Sequence, residues 1–125
     1  MATRPFMLIP GALAALALLP AAAPQSGTGD AVFRQRCQSC HAAGSAPSPL
    51  GPSLTGVIGR KAGATDFRYS AALKAAGITW TRDSLDKYLA GPTKMVPGTR
   101  MVVSVADAGQ RAELIKYLEL SLIHI

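Results

Sequence analysis

The sequence predicts an all-α domain with long ordered loops, about four to five short helices in all. Three observations carry that expectation. No stretch of any length alternates apolar and polar residues as a strand does. Several short apolar patches repeat at helical spacing between residues that start and stop helices. Residues 42–63, AAGSAPSPLGPSLTGVIGRKAG, hold five Gly and three Pro in 22 positions, with isolated apolar residues Leu50, Leu54, Val57 and Ile58. A loop of that length inside a compact domain is functional or disordered, and its spaced apolar residues suit a loop that wraps something.

The chain opens with MATRPFMLIPGALAALALLPAAAP, whose one charge is Arg4. A basic start, an apolar run from Phe6 to Leu19 and small residues at 21–23 form the layout of a secretory signal over residues 1–23. Pro10 and Gly11 break the run, and its Ala/Leu core falls short of the roughly 20 strongly apolar residues of a permanent span. Cleavage after Ala23 would leave Pro24 next, which suits a signal peptidase poorly, so an uncleaved anchor is the alternative. Residues 24–28 read as a flexible leader.

The elements follow in order. Residues 30–40 suit a helix, with Val32 and Phe33 on one face and Asp30 in the first turn, where the helix dipole favours an acid. Residues 70–76 form a second patch that stops at Gly77. Thr81 can cap residues 82–90, with Leu85, Tyr88 and Leu89 on one face and Gly91-Pro92 as the stop. Asp107 can cap residues 108–120, with Gln110 placed as in a capping box and Leu114, Ile115, Tyr117 and Leu118 as the apolar face. These stripes are read as core.

The full chain carries 13 Lys plus Arg against 7 Asp plus Glu. Without Arg4 the remainder stands near +5, on a domain of about 100 residues that buries a modest core and gains from a staple. The basic balance suits acidic partners. The charges are scattered, with no run beyond Arg60-Lys61, which together with export argues against nucleic acid.

Residues 37–41, CQSCH, hold both cysteines and one of two histidines. Four chemistries compete. A disulfide between Cys37 and Cys40 closes a loop too short to stabilise much. A zinc site needs four ligands, and the other histidine is His124 at the far end. A thiol–disulfide redox pair expects a strand–helix context, and no sheet is predicted. C-x-x-C-H is also the attachment signature of c-type haem. Two thiols three residues apart reach two vinyl groups along one porphyrin edge, and the imidazole of His41 can bind the iron. With export and a loop-rich all-α chain, haem is the preferred answer. The sixth iron position then asks for a ligand. MVPGTRM, residues 95–101, offers Met95 and Met101, and a thioether favours ferrous iron and raises the potential.

In order along the chain stand GDAVF, CQSCH, GPSLTGVIGRKAG, FRYS, GITW, LDKYLAGP, VPGTRM and LIKYL. From about Gly29 to Leu118 this series resembles class I cytochrome c, of the mitochondrial type and its bacterial cytochrome c2-like relatives. The resemblance implies a class I fold over residues 29–119, wrapped around one haem c attached through Cys37 and Cys40. It implies His41 as proximal and Met101 as distal iron ligand, with Met95 where the family varies. Pro52 would accept the His41 ring N–H through its carbonyl. Arg60, Tyr69 and Trp80 would hydrogen-bond the haem propionates. Tyr88 and Thr99 would stand near the Met sulfur, and Gly29, Phe33, Leu114 and Tyr117 would form the crossing of the terminal helices. Leu73 departs from the mitochondrial pattern, which has Asn there.

The function so implied is an exported, periplasmic one-electron carrier, not an enzyme, and a monomer. It would touch the membrane only if residues 1–23 are retained. Its partners would be redox proteins with acidic docking surfaces, such as an oxidase, a cytochrome bc1 complex, a dehydrogenase or a reaction centre, met through Arg36, Lys94 and Arg100. The alternatives are a haem subunit of a periplasmic dehydrogenase and a small peroxidase-like enzyme. LSLIHI, residues 120–125, puts an apolar tail where the family's last helix turns polar. CTG TCT CTT ATA CAC ATC encodes it and resembles the end of a common transposon-based sequencing adapter. Residues 120–125 are therefore expected to be non-native, and His124 to lack a function.

Overall fold

The computed structural model describes residues 11, 14–19, 28–42 and 48–121, with the side chain of Ser121 left aside. The expected signal at 1–23, the leader at 24–28 and the tail beyond Ser121 fall mostly or wholly outside them. Among the described residues five helices run in the order α1 (Gly29–Arg36), α2 (Ala71–Ala75), α3 (Arg82–Ala90), α4 (Pro92–Met95) and α5 (Ala108–Ser121). No helix among them is long and apolar enough to cross a membrane.

α2, α3 and α5 start where a side chain takes an otherwise unpaired N–H, whereas α1 and α4 have no side-chain cap. Ser70 Oγ accepts from Leu73 N–H at 3.1 Å. Thr81 and Ser84 form a reciprocal capping box, at 3.1 Å and 2.7 Å. Asp107 Oδ1 accepts from Gln110 N–H at 2.8 Å. Such caps contribute about 1 kcal/mol each.

Two boundaries differ from expectation. The first helix was expected to reach Cys40, and it ends at Arg36. Phe33 O accepts from both Cys37 N–H and Gln38 N–H, at 2.9 Å each, and the longer-range bond closes the α ladder. Cys37–Cys40 then forms its own turn, with Cys40 N–H and His41 N–H both donating to Cys37 O. Gly91-Pro92 was expected to stop a helix. It does, but Pro92 also opens α4 as its first residue, where a missing N–H costs nothing.

Among the described residues the expected absence of sheet holds with one local addition. Lys61 and Thr79 form an isolated antiparallel bridge. Ala62 N–H donates to Ile78 O at 2.8 Å, Trp80 N–H to Arg60 O at 2.9 Å and Gly59 N–H to Trp80 O at 2.7 Å. These bonds tie the long loop to the segment before α3 and set Arg60 beside Trp80.

The core gathers Val32 and Phe33 of α1, Leu85, Tyr88 and Leu89 of α3, and Leu114, Ile115 and Leu118 of α5. α1 and α5 cross at Gly29. A Cβ there would stand 2.1 Å from Glu113 O and 2.7 Å from Tyr117 Cβ, so only glycine lets the backbones meet. Phe33 and Tyr117 pack with ring centroids 5.4 Å apart, and Leu114 is fully buried. The crossing expected at Gly29, Phe33, Leu114 and Tyr117 is therefore present. α3 meets α5 through Arg82–Glu119 and Arg111–Asp86, each at 2.8 Å.

Gly29→Ala should force the terminal helices apart and cost about 3 kcal/mol, the upper end for overpacking a tight contact. Denaturant unfolding of the purified protein measures this, and an unchanged midpoint would contradict the described crossing.

Candidate cofactor site

A largely apolar cavity of about 410 Å³ lies between the Cys37–Cys40 turn, the loop that follows it, α2, α3 and the segment after α4. That volume is in the range of cofactor sites. Cys37, Cys40, His41, Pro52, Arg60, Tyr69, Trp80, Tyr88, Thr99 and Met101 all line it. These are the ten residues singled out in the sequence, drawn from six separate segments and brought to one surface.

The cysteine turn forms the first wall. Cys37 and Cys40 are free thiols, which sets the disulfide reading aside. Burial pushes the Cys37 thiol up to about 11, partly offset by Arg36. A thiol held neutral at physiological pH is a poor attacking thiolate, so the redox-pair reading loses its chemistry. No group of three or more His, Cys, Asp or Glu is gathered for a metal ion among the described residues, which is against zinc.

His41 Nδ1 lies 2.9 Å from Pro52 O. A proton on Nδ1 donated to that carbonyl leaves Nε2 with its lone pair. Burial holds the imidazole below its ordinary pKa, against the opposing bond to Pro52. Burial thus favours the neutral ring, the form that binds metal, while the Pro52 bond selects the tautomer with Nε2 free. Gly51 makes this packing possible. A Cβ on it would stand 2.7 Å from Cys40 O and 2.9 Å from His41 Cε1 and Nδ1.

Arg60 and Trp80, set side by side by the bridge at Lys61, form part of another wall. Arg60 Nη2 donates to Ser53 O at 2.9 Å and Nη1 to Thr55 O at 3.2 Å. Its Nε is buried without a partner, the one such side-chain nitrogen or oxygen among the described residues. A buried donor left unpaired costs free energy, so this N–H calls for an acceptor. Tyr69 is buried, and its hydroxyl meets Thr65 Oγ1. Trp80 packs on Tyr88 with centroids 4.9 Å apart.

The segment after α4 supplies the remaining side. Tyr88 Oη and Thr99 Oγ1 are hydrogen-bonded at 2.7 Å, both buried. Burial raises the Tyr88 pKa, partly offset by this bond, so the phenol stays protonated. The two methionines separate clearly. Met101 lines the cavity, whereas Met95 does not and packs against the core from α4. Leu73 also lines it, placing an aliphatic side chain where the resemblance expects Asn.

The residues expected around the opening divide. Arg36 and Arg100 line the cavity and donate to Ser104 O and Arg68 O, each at 2.8 Å. Lys94 does not line it; it is exposed, with its stem beside Gly91. Ser48 was missed altogether. Its hydroxyl donates to Cys40 O and accepts from Leu50 N–H and Gly51 N–H at 3.2 Å each, joining the loop to the cysteine turn. The only sequence signal was a Ser between two prolines, a common turn pattern.

This donor set fits haem c. It combines two thiols on one turn, an imidazole with Nε2 free, a thioether, aromatic and aliphatic walls, and a buried N–H lacking an acceptor. Comparison with known proteins agrees. Residues 26–121 match the family model for cytochrome c. The chain is 49% identical over 94 residues to cytochrome c type-1 of Ascaris suum, covering 74% of this chain and 84% of that protein. It is 44% identical over 93 residues to cytochrome c2 of Rhodomicrobium vannielii, covering 72% and 74%. The structure resembles cytochrome cH from Methylobacterium extorquens with a TM-score of 0.68 and 38% identity, over 73% of this chain and 93% of that one. The chain therefore belongs to the cytochrome c family, with the class I fold and with haem c carried on Cys37 and Cys40.

Proposed function

We propose that the protein is an exported, monohaem electron carrier whose iron is held by His41 and Met101. The observation that carries this reading is the convergence of all ten residues on one cavity, with Met101 on its wall and Met95 outside it. Haem bound here supplies a one-electron ferric/ferrous couple. The protein's part is to hold, orient and shield. Cys37 and Cys40 fix the ring covalently. Pro52 orients the His41 imidazole and makes it a stronger electron donor. Met101 offers a soft ligand that favours the ferrous state. Arg60 Nε, with Tyr69 and Trp80 nearby, offers donors to propionate oxygens, and Tyr88 and Thr99 order the Met101 side. With His41 and Met101 both holding the iron, the reading would leave no site for substrate chemistry.

The signal-like residues 1–23 support a periplasmic location, and the reading is of a monomer that meets redox partners with acidic docking faces. Arg36 and Arg100 at the opening, on a protein near +5 once Arg4 is left out, would steer them.

Three outcomes test the proposal. Acid–organic extraction of the purified protein should leave the haem on the chain, and release into the organic phase would contradict thioether attachment. Met101→Ala should abolish the near-infrared charge-transfer band of an Fe(III)–S bond and lower the potential, whereas Met95→Ala should keep the band. Behaviour in the reverse order would reassign the ligand. Electron transfer to an acidic partner should slow as salt rises, since exposed charges are screened over about 8 Å at 0.15 M. A salt-independent rate would instead place docking on the exposed apolar residues Leu50 and Val102.

A further inference from the structure

Met101 sits in a stretch without regular structure, between α4 and α5. Something must hold that stretch against the cavity. Before Met101 the tethers are Thr99 N–H on Val96 O at 3.0 Å, the Tyr88–Thr99 hydroxyl pair, and Arg100 on Arg68 O. After it, Arg36 reaches Ser104 O across the surface, and Val105 N–H donates to Leu89 O at 2.8 Å. The remaining bonds converge on one side chain. Arg111 Nη1 donates to Val105 O at 3.0 Å and Ala106 O at 2.9 Å, while its Nε donates to Asp86 Oδ1 at 2.8 Å.

Arg111 stands at the start of α5, where the helix dipole disfavours a cation. Its side chain is nonetheless only 12% exposed, against 46% for Asp86. A guanidinium drawn in at an unfavourable helix end needs partners that outweigh the cost. Here those partners are two carbonyls of the Met101 segment and one carboxylate of α3. The planar fork lets one group face both at once, which a lysine cannot do as well.

We propose that Arg111 is a positioning residue for the iron ligand: it clamps residues 105 and 106 to α3 and so keeps the Met101 thioether on the cavity wall. The inference rests on the reading of Met101 as the distal ligand. Arg111 does not line the cavity, so it acts only through the segment it holds. Loosening the clamp raises the fraction of molecules whose thioether is off the iron. An added ligand that competes for that position then binds more tightly and faster.

Imidazole titration of the ferric holoprotein tests this, followed by loss of the near-infrared sulfur-to-iron band. Arg111→Gln should bind imidazole about tenfold more tightly, the scale of losing charge-assisted hydrogen bonds. Asp86→Asn, which spares the two carbonyl bonds, should give about threefold, as expected of a half-exposed pair. Arg111→Lys should fall between wild type and Arg111→Gln. Phe33→Leu trims the Tyr117 contact of the α1–α5 crossing but spares every hydrogen bond that holds the segment, and should leave the affinity unchanged. If Arg111→Gln yields no folded holoprotein, Asp86→Asn and Arg111→Lys decide, and wild-type affinity in both overturns the clamp. Tightening by Phe33→Leu equal to that of Arg111→Gln would also overturn it, as a general effect of lost stability. Met101→Ala run in parallel separates the two claims. If it keeps the band, the ligand reading fails and the inference with it. If it loses the band while Arg111→Gln binds imidazole like wild type, the clamp alone is wrong.

Discussion

The domain is built around a cavity rather than over a continuous core. Leu85, Tyr88, Leu89, Leu114 and Leu118, five of its buried core residues, line that cavity. An apolar cavity of about 410 Å³ at the centre of the fold leaves the faces that line it without packing partners. Small domains have only about 5–15 kcal/mol in total. The occupant is therefore a structural element of the core, and covalent attachment through Cys37 and Cys40 keeps it there. The same condition explains the economy of secondary structure. The long loop reads as a wall, with Leu54 and Val57 on the cavity and its backbone tied to the segment before α3.

Leu114 links the two halves of the fold. It lies on the helix that crosses α1 at Gly29, and it lines the cavity. The terminal-helix crossing is thus pressed against the site. α1 leads directly into the cysteine turn, so the crossing also sets where Cys37 and His41 begin. From there the path to the iron ligands is local: Ser48 and Gly51 shape the turn's outer side, and Pro52 holds the ring.

Much of this was legible in the sequence because the signals were local or arrived in a fixed order. Thr81 and Asp107 mark helix starts, since a capping side chain acts within three residues. CQSCH carries its chemistry in five consecutive positions. The close approach at Gly29 and the placement of Met101 came from ordered motifs, and the geometry accommodates both. Other features depend on pairings across distance. Lys61 meets Thr79 through single backbone bonds that leave no alternating pattern. Arg111 looks like any surface cation until Asp86, 25 residues away, is brought to it. Phe33 O ends α1 by taking a second N–H, which composition does not reveal.

The central claim is that the haem completes the core, and the most direct measurement is the helix content of the chain without it. The double variant Cys37→Ala and Cys40→Ala, produced where haem attachment does not occur, should show a far-ultraviolet circular dichroism spectrum that has lost most of its helical signal. It should also unfold without a cooperative transition. A haem-free chain with native helix content and a sharp thermal transition would contradict the account, because the cavity would then be supported by the polypeptide alone.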